Sequence, residues 1–163
     1  MSAVYMTKDR LVKLEEELQD LKGRGRKEIA QKISDARSHG DLSENADYDA
    51  AKHEQELMEM KIANMQRILS QVQVIDPNDF PNDKVYILST VKLKNKKNGA
   101  IITYTLVSAE EADFEQNKIA VSSPLGKAMM GKTLGEVVTL KVPAGITEYE
   151  ILEIGKYESL SEE

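Results

Sequence analysis

The chain has 163 residues with 22 Lys and Arg against 28 Asp and Glu, and its net charge of −6 disfavours unaided binding to nucleic acid, because that affinity comes mainly from cations that contact phosphates. It contains no cysteine, which excludes disulfide bonds, thiolate metal ligands and a cysteine nucleophile. No apolar run approaches the roughly 20 residues that span a bilayer, and the first residues do not resemble a secretory signal, so we expect a cytoplasmic protein without membrane contact.

The first predicted element is a long helix that starts after Thr7, whose hydroxyl can cap a helix N-terminus. Apolar residues recur along it at spacings of three and four and form one stripe. The stripe consists of Leu11, Leu14, Leu18, Leu21, Ile29, Ile33 and Ala36. From Leu21 through Gly25 to Ile29 the spacing is four and four, which breaks the heptad. Either the coiled coil is locally unwound there or the helix is weakened by its two glycines.

A second long helix is predicted after a short connection. We expect the first helix to end at His39–Gly40, since glycine is favoured just past a helix C-terminus. The second begins near Asp41 and ends before Asp76–Pro77. Its apolar stripe consists of Met58, Ile62, Met65, Leu69 and Val72. Two long stripes joined by a short connection are best buried against each other, so residues 1–76 are predicted to form an antiparallel coiled-coil hairpin with arms of about 45 Å.

Beyond a turn-rich linker at 77–83 the apolar pattern alternates with period two, which is typical of β-strands. Six strands are predicted, at 85–88, 91–93, 100–107, 119–121, 137–142 and 149–154. Asn98–Gly99 marks a hairpin turn, and Pro124–Met130 is predicted to be one short helix followed by Gly131. The sequence therefore predicts an α+β fold in which residues 84–163 form a sheet domain with one short helix.

Acidic residues cluster in the connection between the two long helices, where Asp41, Glu44 and Asp47 are each three residues apart. One interpretation is a capping box, in which Asp41 accepts from the first amides of the second helix and Glu44 reaches back. The other is a pair of carboxylates that the hairpin delivers to a partner. Carboxylates bind Mg²⁺ but usually share it with waters and substrate phosphates, so Asp41 and Glu44 would complete a metal site in a partner that holds nucleic acid. A hairpin tip has no concave pocket, so the chain is not predicted to be an enzyme by itself.

The connection resembles the tip of the bacterial transcript-cleavage factors of the Gre family, and the resemblance rests first on residues 40–51, which read GDLSENADYDAA. It covers essentially the whole chain, because shorter matching segments occur in both halves. These segments are Met6–Thr7, Glu17–Leu18, Leu21–Lys22, Gln73–Asp76, Glu111–Phe114, Ser122–Lys127 and Gly131–Lys132. One departure is Ala3–Met6, where the family often has proline before Met-Thr.

This resemblance implies a transcription elongation factor with an N-terminal coiled coil and a C-terminal FKBP-like antiparallel sheet domain. The sheet domain would dock at the rim of the RNA polymerase secondary channel, and the coiled coil would enter the channel. Asp41 and Glu44 would then share Mg²⁺ with the polymerase active site, which cleaves the backtracked transcript and so rescues an arrested complex. The resemblance also implies no cofactor in the free protein, which we expect to be monomeric. The presence of both acids argues against the inhibitory relatives, whose tips differ.

Further candidate contacts flank the tip. Contacts to the nascent RNA 3′ segment are predicted for Arg37, Asn45, Tyr48 and Lys52. Arg37 and Lys52 are cations, and arginine suits phosphate geometry, while Tyr48 can stack on a base. The alternative is an ordinary solvated helix face, and for Tyr48 it is packing of the tip. In the middle of the arm, Arg24, Arg26 and Lys27 are expected to be plain surface.

Candidate polymerase-docking residues lie in the second half: Asp113, Phe114, Ser123 and Pro124. The alternative for these is turn chemistry and core packing. A different function, an FKBP-like peptidyl-prolyl isomerase or chaperone, is a further alternative, but residues 77–163 offer few aromatics for such a pocket and it leaves the hairpin unexplained. A third possibility is a factor that plugs the channel without supporting cleavage.

Overall fold

The structure is a computed structural model that describes residues 3–38 and 46–157, and it has the predicted α+β architecture. The helices are α1 (Lys8–Asp20), α2 (Arg26–Arg37), α3 (Ala46–Leu69) and α4 (Pro124–Met129), with a π-helical turn (Leu21–Gly25) between α1 and α2. The strands are β1 (Val4–Met6), β2 (Val72–Val74), β3 (Ser89–Asn95), β4 (Ile101–Val107), β5 (Lys118–Ala120), β6 (Val137–Val142) and β7 (Gly145–Lys156). The chain divides into a helical unit, Leu11–Gln71, and a sheet unit made of Met1–Arg10 with Val72–Glu163.

The helical unit is a pair of antiparallel arms in which α2 packs along α3. Two ion pairs between the arms show the direction: Arg26 pairs with Glu59, and Lys32, further along α2, pairs with Glu54, which comes earlier in α3. The buried residues of the arms are Leu14, Leu18, Ile29, Ile33, Ala36, Ala51, Ile62, Met65 and Ile68. Within residues 3–38 and 46–157, no helix is long and apolar enough to cross a membrane.

The predicted stripe of the second arm is correct for Ile62 and Met65 but not at its end. Ile68 is buried there, whereas Leu69 is only half-buried. The reason is that α3 stops at Leu69 and the chain turns immediately, so that Val72 already lies in β2.

The π-helical turn Leu21–Gly25 lies where the apolar spacing of the first arm departs from the heptad. The amide of Arg26 donates to the carbonyl of Leu21, five residues back, and such a turn holds more residues than an α-helical one. The wider turn accommodates the additional residue, so the apolar stripe continues in phase from α1 into α2. The local unwinding that the spacing predicted is therefore present at this turn.

The two glycines of this turn differ in their surroundings, and this generates a stability prediction. A Cβ added at Gly23 would meet nothing within 4 Å, whereas one at Gly25 would lie 3.3 Å from the Met58 sulfur. Gly23→Ala should therefore raise the free energy of unfolding of the helical unit by about 0.5–1 kcal/mol, because alanine loses less backbone entropy on folding. Urea titration followed by circular dichroism at 222 nm measures it. Gly25→Ala is the matched control and should gain less; an equal gain for both would contradict the packing described.

The sheet unit contains a five-stranded sheet in the order β5-β4-β3-β7-β6. It is antiparallel as predicted except at one edge, where β5 runs parallel to β4. The connection from β4 to β5 contains two short 3₁₀ turns and returns the chain to the side from which β4 started. The core beneath the sheet consists of Val85, Val91, Leu93, Leu106, Ile119, Met129, Val138 and Ile151.

A second, unpredicted sheet has two parallel strands, β1 and β2, which belong to the sheet unit although both lie inside the segment predicted as coiled coil, 1–76. Each strand has three residues, which is too short for a recognisable alternation. Parallel strands require a long connection, and here the whole helical hairpin supplies it.

One predicted strand, 85–88, is wrong. The segment forms a turn in which Leu88 has a φ of +69°, and the Ser89 hydroxyl accepts from the Tyr86 amide at 2.9 Å. Val85 and Leu88 are nevertheless 0% and 3% exposed, so the apolar run reports burial rather than extended backbone. The hairpin turn at Gly99 and the helix α4 are confirmed.

Candidate functional site

The predicted tip residues Asp41, Glu44 and Asn45 lie outside the described residues, as does His39, and their roles stay predictions. The helix ends on either side are described. The Ser38 amide donates to the carbonyls of Ser34 and Asp35, both at 3.2 Å, which closes the end of α2. Across residues 3–38 and 46–157, no group of three His, Cys, Asp or Glu is arranged to hold a metal ion.

Arg37 and Tyr48, which the sequence placed on opposite arms, are brought together at this end of the helical unit. The Arg37 guanidinium carbon lies 5.7 Å from the centre of the Tyr48 ring, a cation–π distance. The ring in turn packs against the buried cluster of Ile29, Ile33 and Ala51. Tyr48 therefore packs the arms, and it also holds the positive charge of Arg37 at the end of α2.

Lys52 behaves differently, since its ammonium donates to the Gln55 side chain at 3.1 Å within α3. Further down the arms, Arg24 donates to both Asp20 and Glu28. These carboxylates raise the pKa of Arg24 above its usual range. In the middle of the first arm, Arg24 is thus paired with acids of the protein itself.

The pair between Arg26 and Glu59 joins the two arms. Nε and Nη2 of the Arg26 guanidinium each donate to one oxygen of the Glu59 carboxylate, both at 2.9 Å. Each side chain is 45% exposed, so the pair contributes little net stabilisation, but its two parallel hydrogen bonds favour one register of α2 against α3.

All four predicted docking residues line one groove of the sheet unit. The groove has a volume of about 600 Å³. Apolar and aromatic side chains form most of its wall, among them Tyr104, Leu125, Leu140, Val142, Pro143 and Tyr149. Residues from Tyr104 to Tyr149, which are far apart in sequence, thus form one concave surface.

Asp113 and Ser123, which both line this groove, each cap the start of a short helical segment. The Asp113 carboxylate accepts from the Glu115 amide at 3.0 Å, and the Ser123 hydroxyl accepts from the Gly126 amide at 3.0 Å and donates to the Ala120 carbonyl at 2.7 Å. A Cβ at Gly126 would come 2.1 Å from the Ala120 oxygen, so glycine is required for this close approach of α4 to β5.

These caps present two apolar side chains. The 3₁₀ turn that Asp113 starts exposes Phe114, whose side chain is 80% exposed. Pro124 follows the Ser123 cap as the first residue of α4. The sequence-based alternative of turn chemistry is therefore correct for Asp113 and Ser123, while Phe114 and Pro124 offer contact surface. An exposed aromatic beside an apolar groove is typical of a protein interface.

Sequence reasoning missed the two tyrosines of the groove, Tyr104 and Tyr149. Burial raises the pKa of Tyr104, with a smaller contribution from Tyr149 nearby. Strand alternation indicates which face of β4 or β7 each occupies, but only the strand order shows that the two strands flank β3.

Two family models of known proteins match most of the chain. The family model "Transcription elongation factor, N-terminal" matches residues 4–74, and the model "Transcription elongation factor, GreA/GreB, C-term" matches residues 80–156. The chain belongs to the GreA/GreB family of transcription elongation factors.

Within this family the similar curated proteins are named GreA. The factor of Chloroherpeton thalassium is 51% identical over 92% of this chain and 95% of its own. That of Chlorobium phaeobacteroides strain DSM 266 is 53% identical over 93% of this chain and 96% of its own. The crystal structure of GreA factor homolog 1 (Gfh1) of Thermus thermophilus is 26% identical, covers 93% of this chain and 98% of its own, and superposes with a TM-score of 0.44. The resemblance found in the sequence is confirmed, and the isomerase alternative is not favoured.

The ion pair between Arg26 and Glu59 predicts a lowered pKa for the Glu59 carboxyl, which can be measured by titration. The pKa of the Glu59 carboxyl lies below its ordinary value of 4.5, mainly because Arg26 donates hydrogen bonds to it. For a lowered pKa, the stabilisation is present above the unfolded-state value and is lost as the pH falls through the folded-state value. An NMR titration should give Glu59 a midpoint below 4.5, which returns toward 4.5 in Arg26→Gln. Asp20, whose pKa Arg24 lowers, is the internal control and should not move.

Proposed function

We propose that this elongation factor acts on RNA polymerase as a transcript cleavage factor and is not an enzyme by itself. Its sheet unit docks at the rim of the secondary channel, its helical hairpin enters the channel, and Asp41 and Glu44 reach the polymerase active site. The observation that carries this proposal is the position of the GDLSEN run between the adjacent ends of two antiparallel arms, in a member of the GreA/GreB family.

The donor chemistry of the tip residues fits magnesium. Asp41 and Glu44 offer carboxylate oxygens, the ligands that Mg²⁺ prefers, and two of them leave coordination positions for waters, transcript phosphate and polymerase side chains. Such a metal, when bound, lowers the pKa of a water and stabilises charge on the cleaved phosphodiester. The metal is shared with the polymerase in the complex, and the free chain needs none.

The described end of the hairpin supports contact with the RNA 3′ segment. Arg37 holds a positive charge there against the Tyr48 ring, beside the acidic connection, where an incoming phosphate backbone needs a counter-charge. Lys52 adds a second cation one turn further along α3, and Asn45 offers amide donors. In the middle arm, Arg24 and Arg26 already have carboxylate partners, so we assign RNA contact to the end of the hairpin.

The tip proposal is tested with isosteric substitutions that remove charge but keep capping. Asn caps a helix as well as Asp does, and Gln serves in a capping box as Glu does. Asp41→Asn and Glu44→Gln should therefore fold and dock normally, yet each should slow stimulated cleavage in backtracked complexes by about 100-fold or more, since loss even of an outer partner of a metal costs about 10–100-fold. Gel analysis of labelled transcripts measures the rate.

Asp49→Asn is the matched control, because it makes the same change on an exposed residue in the first turn of α3. It should keep stimulated cleavage within about twofold of wild type, since charges that touch no reacting group contribute little. Full stimulation by both tip variants would contradict metal sharing and favour the capping interpretation. Occupancy of the polymerase without any stimulation, in wild type too, would favour the channel plug.

The docking proposal predicts a loss of affinity on truncation of Phe114. Because the side chain is 80% exposed, Phe114→Ala should leave the free energy of unfolding within about 0.5 kcal/mol of wild type. It should weaken binding to RNA polymerase by about tenfold or more if Phe114 anchors the interface. Competition binding against labelled wild-type factor measures the Kd.

Ile101→Ala is the control for this truncation. Ile101 is 56% exposed, and it lies three residues from Tyr104 along β4, so it is on the opposite face of the sheet from the groove. Its Kd should match wild type. Equal losses for Phe114→Ala and Ile101→Ala would show that the groove is not the docking surface.

A further inference from the structure

Strand β6 forms one edge of the five-stranded sheet within the described part of the chain. It has six residues, of which only Lys141 is charged, and it contains no proline. The strand at the opposite edge, β5, has only three residues. Proteins keep their edge strands short or place charges and prolines in them, because an unpaired edge is a template for another strand. Of the two edges, β6 is therefore the one that offers the longer template for a further strand.

Exposed apolar side chains accompany this edge. Leu134, three residues before β6 begins, is 63% exposed, and Val137, its first residue, is 38% exposed. Ile146, which pairs with Lys141 in the ladder between β6 and β7, is 63% exposed. A single exposed apolar residue is ordinary, but a group of them beside an edge strand is typical of an interface.

The hydrogen bonds between β6 and β7 determine which residues of β6 face the edge. The Ile151 amide donates to the Glu136 carbonyl at 3.0 Å, and the same register continues to the end of β6. Because hydrogen-bonded and non-hydrogen-bonded pairs alternate in an antiparallel ladder, the even-numbered residues of β6 bond to β7. The backbone amides and carbonyls of Val137, Thr139 and Lys141 therefore point to the edge.

We propose that β6 pairs antiparallel with β6 of a second copy of this chain, about a two-fold axis beside Thr139. In such a pair the same surface serves both copies. Thr139 lies opposite Thr139 of the second copy, and Val137 lies opposite Lys141 of the second copy. All three edge-facing residues of each strand are then used, and three reciprocal pairs give about six hydrogen bonds.

The neighbouring registers of this strand pair are less favourable. A shift by two residues in one direction places Val137 opposite Pro143, which has no amide to donate. A shift by two residues in the other direction places Lys141 opposite Gly135, whose amide already donates to the Ile151 carbonyl at 2.9 Å. A shift by a single residue would bring side chains of opposite faces together. The register centred on Thr139 is therefore the one that the edge selects.

Charge complementarity favours a second copy as the occupant of this edge. Val137 pairs with Glu150 of β7, so Lys141 of the second copy lies one strand away from that carboxylate. The three side chains share one face of the sheet, and the lysine stem can cover Val137 while its ammonium extends toward Glu150. The two-fold axis makes this contact twice and keeps the two lysines about 14 Å apart.

The net charge sets the strength of this association. Each copy carries a net charge of −6, so two copies repel each other outside the specific contact. The free chain is therefore monomeric at low concentration, as expected from the sequence, and it dimerises through β6 as its concentration rises.

The first experiment is sedimentation of the full chain at concentrations up to about 1 mM, where even a weak dimer is populated. Wild type should show a reversible monomer–dimer equilibrium. Val137→Lys places like charges opposite each other at both contacts, so its Kd should rise about fivefold or more. Adding Lys141→Glu restores opposite charges and should recover the Kd. Thr103→Lys, the same change on an exposed residue of β4, is the matched control and should stay within about twofold of wild type.

Monomeric wild type throughout this range would overturn the proposal. So would a double variant that dimerises no more tightly than Val137→Lys, or an equal rise in Kd for Thr103→Lys.

The second experiment tests the register by disulfide cross-linking. The chain contains no cysteine, so an introduced one is unique. In Thr139→Cys the two Cα atoms lie about 5.5 Å apart across a hydrogen-bonded pair, which suits a disulfide, and mild oxidation should give a covalent dimer. Lys141→Cys is the matched control on the same strand, and its two Cα atoms, about 14 Å apart, are too distant. A mixture of Val137→Cys and Lys141→Cys should give the mixed dimer. Equal cross-linking of Thr139→Cys and Lys141→Cys would overturn the proposed pairing.

Discussion

The apolar stripe of each long helix can be buried only against the other helix, and the rest of the helical unit depends on this pairing. Each arm has one apolar face and is otherwise charged or polar, so neither has a core of its own. Ile29 and Ile33 are covered by α3, and the small side chain of Ala51 sits in the same cluster. Because the arms are antiparallel, Ser38 and Ala46, the described residues on either side of the connection, lie at the same end.

Apolar contacts do not by themselves choose a register, because hydrophobic burial is not directional. Two features complement the buried stripe. The π-helical turn at Leu21–Gly25 keeps it in phase between α1 and α2, and the bidentate pair between Arg26 and Glu59 favours one alignment of α2 with α3. Because this pair is exposed it adds little stability, and its effect is to favour one register of the two arms. Arg24 and Arg26 of the middle arm are paired with acids of the protein itself, and the positive charge of Arg37 lies against the Tyr48 ring at the end of the hairpin.

In the sheet unit, side-chain caps of short helical segments help to form the groove. Asp113 and Ser123 accept hydrogen bonds from amides at the start of a 3₁₀ turn and of α4, and both line the groove. Their hydrogen bonds hold Phe114 and Pro124 beside a wall built by β4, β6 and β7. A capping role and a docking role are therefore compatible here, because the caps orient the side chains that a partner would meet.

The sequence alone determined the long amphipathic helices, the cap at Thr7, the hairpin turn at Gly99, the helix α4 and the GDLSEN run, because each is a local pattern of spacing or turn chemistry. Thr7 shows this directly, since its hydroxyl accepts from the Arg10 amide at 3.2 Å. Only the tertiary structure decided the parallel pair β1–β2, the turn at Leu88, the groove that joins Tyr104 and Tyr149 to Phe114, and the ion pair between Arg10 and Glu111. These depend on which distant segments meet, and a pairing of residues about 100 positions apart leaves no periodic trace in the sequence. Local spacing specifies which side chains each segment can bury. Tertiary packing determines which other segment covers them.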